Sequence, residues 1–227
     1  MNDMSYTYKY PHPNVTTDCV IFGYDGKCLS VLLIQRGNEP YKGSWAFPGG
    51  FLNIDELADD GAKRELLEET GLETANIRQF YAFSDPLRDP RERIISIAYY
   101  ALVPIQKVKG ADDAAEARWF PIQQLPTLAF DHHEVLAMAL QALRRQLFFE
   151  SVGRDVLPDI FTIEELQQLY SVILDNDDAA SHLCRNCIKQ QIVIPVKTET
   201  ATSTEEVTVR YRFSEETSNR TIPYGYL

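Results

Sequence analysis

The sequence is short of cysteine, of long apolar runs and of positive charge. Four cysteines, Cys19, Cys28, Cys184 and Cys187, are too few and too unevenly spaced for a disulfide framework. Cys184 and Cys187 form a lone Cys-x-x-Cys with no second pair at zinc spacing, so they read as packed thiols on one helix face. No stretch approaches the ~18 consecutive apolar residues of a membrane span. The first ten residues lack a basic start followed by an apolar core, which predicts no signal peptide and a cytoplasmic setting. Acidic residues number 33 against 22 basic ones, a net charge of −11. Such a chain disfavours non-specific contact with nucleic acid or anionic membrane. It suits a protein that meets anionic nucleotides through a bound divalent cation.

What is present is ordinary globular material, 44% hydrophobic and 24% charged, and 227 residues allow one medium and one small domain. Residues 17–22 and 29–34 are β-branched and aliphatic. An Asp25-Gly26 turn between them predicts a hairpin. Asn53 and Glu56 have the spacing of a capping box, which predicts a helix starting there and ending at Gly71. Strands are expected near 78–83, over 94–103 and ending at Trp119-Phe120, with a charged loop over 84–93. Val135, Leu136, Ala139, Leu140, Leu143 and Leu147 recur at helical spacing over 131–149. Residues 151–158, with Gly153 and Pro158, read as a linker. The domains are therefore expected at 1–150 and 151–227. In the second, Thr162 and Glu165 predict a capped helix over 163–174, and a second helix over 179–189 follows. Strand-like segments at 192–196 and 206–213 flank a Thr-rich stretch, and 214–227 reads as a loose tail. Helix–turn–helix followed by a β-hairpin is the order of a winged helix.

The chemistry lies in the middle. Gly50 is followed by Glu56, then by Arg64-Glu65-Leu66, Glu68-Glu69 and Gly71-Leu72. Seven fixed positions at roughly 7% usage each give a chance match on the order of 10⁻⁸ per starting point. A merely solvated acidic helix demands neither glycines at both ends nor an Arg-Glu pair at fixed offsets. Glu65, Glu68 and Glu69 stand at i, i+3 and i+4, so their carboxylates are expected to converge on one helix face. Their mutual repulsion, roughly 0.2–0.5 kcal/mol per pair, reverses sign around a hard cation such as Mg²⁺ or Mn²⁺. Arg64, one turn before Glu68, is placed to pair with and orient a glutamate. Glu56 is either another member of this site or only the reciprocal cap.

This spacing resembles the Nudix hydrolase family at every fixed position. The resemblance implies an α+β class: an α/β/α sandwich with a mixed sheet, and a metal-dependent diphosphatase. It implies catalytic roles for Arg64, Glu65, Glu68 and Glu69, with Gly50 offering its carbonyl to the metal alongside the three glutamates. Residues 35–51, from Gln35-Arg36-Gly37 through Trp45-Ala46-Phe47-Pro48 to Gly49-Gly50-Phe51, look like the ADP-ribose pyrophosphatase branch. So do residues 88–93 and Leu128-Ala129-Phe130-Asp131-His132. That branch implies ADP-ribose as substrate and Arg36, Arg91, Arg93, Phe130 and His132 as its contacts. Arg91 or Arg93 can hold phosphate by paired hydrogen bonds. His132 or His133, at a helix start, can touch substrate. Glu92 and Glu116 are candidates for the general base.

The layout as a whole resembles the Nudix-related transcriptional regulators, in which a Nudix domain senses a ligand and a winged helix binds DNA. By that resemblance Arg185, Lys189, Arg210 and Arg212 are the DNA-contacting candidates. The second domain nevertheless holds only seven basic residues against twelve acidic ones, few for a phosphate-binding surface. Both resembling groups are commonly homodimers, which implies a dimer. Hydrolase and DNA-binding sensor thus remain the two readings, and they are not exclusive.

Overall fold

The strand β1 (Asn14–Tyr24) is buried from Thr17 onward and organises the molecule. Its side chains alternate between two layers, as the period of two requires. Cys19 and Ile21 face α1 (Ala58–Thr70), packing with Ala62 and Leu66. Val20 and Phe22 join the opposite core, where α2 (His132–Gln146) contributes Val135, Ala139 and Leu143. A strand covered on both faces reads as a near-continuous apolar run, as residues 17–22 do. The computed structural model describes residues 8–74, 76–110, 114–196 and 209–215.

Around β1 lies a mixed six-stranded sheet. β1 runs antiparallel to β2 (Leu29–Arg36) and parallel to β5 (Ile94–Pro104), the latter along its full length. β4 (Arg78–Phe83) pairs with β5, while β3 (Trp45–Ala46) and β6 (Ala114–Pro121) both pair with β2. Helices on both faces make the α/β/α sandwich of the expected α+β class. Among the described residues no helix is long and apolar enough to cross a membrane.

After α2 come β7 (Phe161–Thr162), α3 (Ile163–Leu174), α4 (Asp177–Lys189), β8 (Val193–Val196) and β9 (Arg210–Phe213). Thr162 and Glu165 form the full capping box at the start of α3, and Asn176 caps α4. The small sheet has the order β7-β9-β8. Its first strand, β7, escapes a sequence reading because two residues carry no periodicity.

Three expectations need correction. The helix α1 begins at Ala58, not at Asn53; residues 54–57 turn instead, with Ile54 and Leu57 exposed. The Glu56 carboxylate does receive the Asn53 N–H, so half of the expected box exists without the helix. Residues 151–158 are a packed seam and not a free tether: Val152 is buried, and its carbonyl accepts the Tyr170 hydroxyl at 3.2 Å. Ser214 is docked, its N–H on the Ile192 carbonyl, and so does not belong to a loose tail. Residues 197–208 and 216–227, the expected Thr-rich stretch and most of that tail, lie outside the described residues, as does the start of the strand expected at 206–213.

One apolar core runs through both parts of the chain, joining Leu143 of α2 to Leu166, Leu169 and Tyr170 of α3. Arg144 adds a hydrogen bond of 2.8 Å to the Ile173 carbonyl. Leu143→Ala should therefore cost about 2–5 kcal/mol and weaken both parts together. Urea unfolding followed by far-UV dichroism should give one transition at a lower midpoint. A biphasic curve, with the second part melting unshifted, would show that this core is not shared.

Candidate functional site

The site starts from two residues without side chains. Thr17 donates its N–H to the Gly50 carbonyl at 2.9 Å, and Cys19 donates to the Pro48 carbonyl at 2.8 Å. These bonds lay the 48–50 loop against β1. A Cβ on Gly49 would stand 2.0 Å from the Thr17 carbonyl oxygen, and one on Gly50 would stand 2.6 Å from the Glu65 carboxylate. At Gly49 backbone fills the space, so glycine is required there; at Gly50 the neighbour is the carboxylate end of Glu65, which a side chain would displace.

α1 then delivers its charged residues to this loop. Glu69 is buried and accepts the Gly49 N–H at 2.9 Å. Arg64 spreads its guanidinium over three carboxylates. Nε and Nη2 bond Glu56 at 3.0 and 2.6 Å; Nη1 alone bonds both Glu65 at 2.7 Å and Glu68 at 3.0 Å. The fork also reaches the Phe51 carbonyl. Through these bonds Arg64 holds Glu56 down to a pKa of about 2. Burial raises Glu65 despite the same arginine. Glu56 is thus more than a cap: it anchors the arginine.

The three glutamates do not converge as their spacing suggests. Among the described residues no three His, Cys, Asp or Glu side chains gather closely enough to hold a metal ion. The reason is visible: Arg64 stands between Glu65 and Glu68, while Glu69 turns inward to the loop.

A cleft of about 200 Å³ opens beside the loop. Gly49, Gly50 and Glu69 line it together with Arg36, Arg91, Phe51 and Phe130. Arg36 lies over the Phe130 ring at 4.8 Å, and Arg91 over Phe51 at 5.6 Å. Asp89 grips Arg91 with two side-chain bonds of 3.0 and 2.8 Å. Phe130 and its ring neighbour Tyr41 both adopt positive φ, 51° and 63°. A backbone conformation disfavoured for bulky side chains is held here at the rim of the cleft.

Of the expected substrate contacts, Arg36, Arg91, Phe130 and His132 line the cleft; Arg93 does not. Arg93 donates instead to the Ser84 carbonyl at 2.8 Å and ties the 84–93 loop to itself. His133 is exposed beside Glu134. Glu116 is paired with Arg118, and neither it nor Glu92 lines the cleft. Arg64, Glu65 and Glu68 do not line the cleft; they adjoin it at Gly50 and Phe51.

The cleft floor was not readable in the sequence. Arg88, 6% exposed, donates to both oxygens of Asp131 at 2.9 and 2.8 Å and to Asp18 at 3.3 Å. Ser96 donates to the same Asp18 oxygen as Arg88. The buried His132 accepts the Phe47 N–H on Nδ1 at 3.0 Å. Its proton therefore sits on Nε2, which faces Asp18 at 3.6 Å. These partners are 43 to 114 residues apart in the chain, and only the fold brings them together.

The exposed face of α4 carries Arg185 and Lys189, and β9 presents Arg210 and Arg212 to solvent. Arg185 bonds Ser181 and Arg212 lies 3.6 Å from Glu215. Cys184 and Cys187 face inward, and burial pushes their thiols up to about 12 and about 11. Thiols so far from ionising are packing groups.

A family model, the NUDIX domain, matches residues 12–143. The chain is 33% identical over 189 residues to the ADPR responsive transcriptional repressor NtrR of Acinetobacter baylyi, covering 81% of this chain and 76% of the repressor. It is 41% identical over 127 residues to the ADP-ribose pyrophosphatase of Methanocaldococcus jannaschii, covering 56% and 73%. The structure of Shewanella oneidensis NrtR complexed with a 27mer DNA matches with a TM-score of 0.73 at 28% identity, covering 92% of this chain and 97% of that one.

Burial of His132 lowers its pKa although Asp18 and Asp131 oppose the shift. The folded protein keeps the ring neutral where the unfolded chain protonates it. Stability from this group is present above the unfolded value of about 6.5 and is lost as pH falls below it. The melting temperature should drop between about pH 7.5 and about pH 5.5. In His132→Asn, whose Oδ1 can still accept the Phe47 N–H, the drop should be smaller. Equal slopes in both proteins would exclude His132 as the titrating group.

Proposed function

The chain belongs to the Nudix family, and from that premise we propose that it hydrolyses the diphosphate of ADP-ribose or a close relative with the help of a divalent cation. One observation carries the reading: the glycine loop and Glu69 share a cleft with two arginines set over aromatic rings. Guanidinium groups bind phosphate through paired hydrogen bonds. Asp89 orients Arg91 in advance, which lowers the entropy lost when a phosphate arrives. Phe51 and Phe130 offer ring faces to a base or a ribose. Similarity to an ADP-ribose pyrophosphatase supports the choice of substrate.

The donor chemistry fits Mg²⁺ or Mn²⁺, which take carboxylate and carbonyl oxygens. Glu65 and Glu68 both bond one cationic nitrogen of Arg64, so their oxygens reach a common point. These two and the Gly50 carbonyl would hold the ion. Glu69 would join by sharing its bond to Gly49. A bound ion supplies charge for the diphosphate oxygens and an activated water. Arg64 keeps its two bonds to Glu56 when it yields Glu65 and Glu68, and so stays beside them as a positioning residue. His132, neutral, accepts the Phe47 N–H and so fixes that backbone beside the cleft. A cytoplasmic setting and a homodimer belong to the same reading.

The test is AMP release from ADP-ribose with Mg²⁺. Glu68→Gln should lower the rate by about 10²-fold or more, the several kcal/mol that a metal contributes to the barrier. The variant should melt as the wild type does. Absence of AMP from the wild type, with ADP-ribose still raising its melting temperature, would make the cleft a sensor and end the hydrolase reading.

A second reading has its own support. α3, α4 and the sheet β7-β9-β8 have the elements of a winged helix, and the similarity to two regulators covers 81% and 92% of the chain, more than the Nudix domain alone. We propose that this part binds double-stranded DNA through Arg185 and Lys189, with Arg210 and Arg212 on the adjoining sheet. Selection from randomised duplexes should enrich one motif, and Arg185→Glu should abolish enrichment. ADP-ribose should change the affinity for that motif. Unbiased recovery by the wild type would reject DNA recognition.

A further inference from the structure

A second cavity, of about 460 Å³, lies at the seam between the two parts of the chain. Its walls come from β4 and β5, the end of α2 and residues 150–156; Asn76, Arg78, Tyr100 and Gln146 meet Ser151 and Arg154 there. This volume falls in the range of small-ligand pockets, roughly 300–1,000 Å³.

The polar groups on these walls are unevenly satisfied. Arg78 is paired with Glu150 at 2.6 Å, Asn76 donates to Asp155 at 3.2 Å, and the Tyr100 hydroxyl donates to Gln146 at 3.0 Å. Arg154 has no carboxylate partner among the described residues. Its Nη2 donates to the Ser214 carbonyl and its guanidinium lies over the Phe213 ring at 5.0 Å. Arg154 Nε and Ser151 Oγ are buried without a hydrogen-bond partner among the described residues. A buried donor left unmade costs about 1–3 kcal/mol, more where the group is charged.

We propose that this seam is a binding site for a small phosphorylated sugar. The phosphate would accept from Arg154 Nε and Ser151 Oγ. The sugar hydroxyls would donate to the carboxylates of Glu150 and Asp155 and to the Gln146 amide oxygen. Residues 150–156 also carry the Val152 carbonyl that holds Tyr170 of α3, and Arg154 itself holds the end of β9 through Ser214. A ligand here touches both parts of the chain at their junction. The proposal is independent of the cleft's reaction.

Calorimetric titration of the full chain with ribose 5-phosphate and, separately, with inorganic phosphate tests it. The sugar phosphate should bind more tightly than phosphate. Ser151→Ala should weaken it about tenfold, the worth of one hydrogen bond to a charged group. Because that substitution removes an unpartnered hydroxyl, it should leave the melting temperature of the free protein unchanged or raise it. Arg154→Lys, which keeps the charge but loses Nε–H, should weaken binding similarly. The cleft variant Arg91→Ala should bind as the wild type does. Binding lost in Arg91→Ala and kept in Ser151→Ala would move the ligand to the cleft and overturn the proposal. No heat from either phosphate would overturn it as well, as would equal affinity for both.

Discussion

Everything at the cleft depends on how closely the 48–50 loop approaches β1. Two backbone bonds, from Thr17 to Gly50 and from Cys19 to Pro48, lay along the sheet a segment that could not lie there with a side chain at Gly49. That contact sets the position of the loop against a strand buried on both faces. The rest follows in order. Gly49 turns its N–H to Glu69, and Gly50 leaves the space that Glu65 fills. α1 is therefore registered against the sheet twice, by the apolar pair Ala62 and Leu66 below and by the loop at its charged side.

Two arginines carry the electrostatics, and they are used differently. Arg64 is about a quarter exposed and serves three carboxylates, so its contacts can be exchanged at modest cost. Arg88 is nearly sealed from water, and its charge is tolerable only because Asp131 and Asp18 match it with good geometry. Removing a partner from the second network leaves a buried charge uncompensated; removing one from the first does not. The exchangeable network lies beside the expected metal position, and the rigid one lines the cleft. An acidic chain can thus offer an anion two arginines, Arg36 and Arg91, set on aromatic rings at the cleft.

What the sequence made legible follows from the range of each signal. The box was readable because its chemistry fixes side chains within one helix and the loop before it, all inside about two dozen residues. The central strand and α2 were readable because the apolar run of β1 and the 3.6-residue repeat of α2 are local. Arg88 was not readable, since nothing near it in the chain announces Asp18, Ser96 or Asp131 as partners. Arg93 carried the same local signal as Arg91; only the fold shows one turned to the cleft and the other to the Ser84 carbonyl. The convergence of the glutamates failed for a related reason. Helical spacing places side chains on a face, but the choice of rotamer belongs to Arg64 and Gly49.

The same contacts bear on how the two parts communicate. Asp131 is the N-cap of α2, and Arg88 grips it from the cleft floor; His132, the first helical residue, holds Phe47. Near the other end of α2, Arg144 holds α3 at the Ile173 carbonyl, and Leu143 shares its core. One rigid helix thus touches the ligand cleft with its first turn and the second part with its last. Such a path is not in itself a mechanism, because a ligand shifts only an equilibrium between states it binds differently. The structure supplies the element that such a shift would have to move. A ligand phosphate that competes with Asp131 for Arg88 would act on α2 at its cap, and α3 could keep its packing only by following.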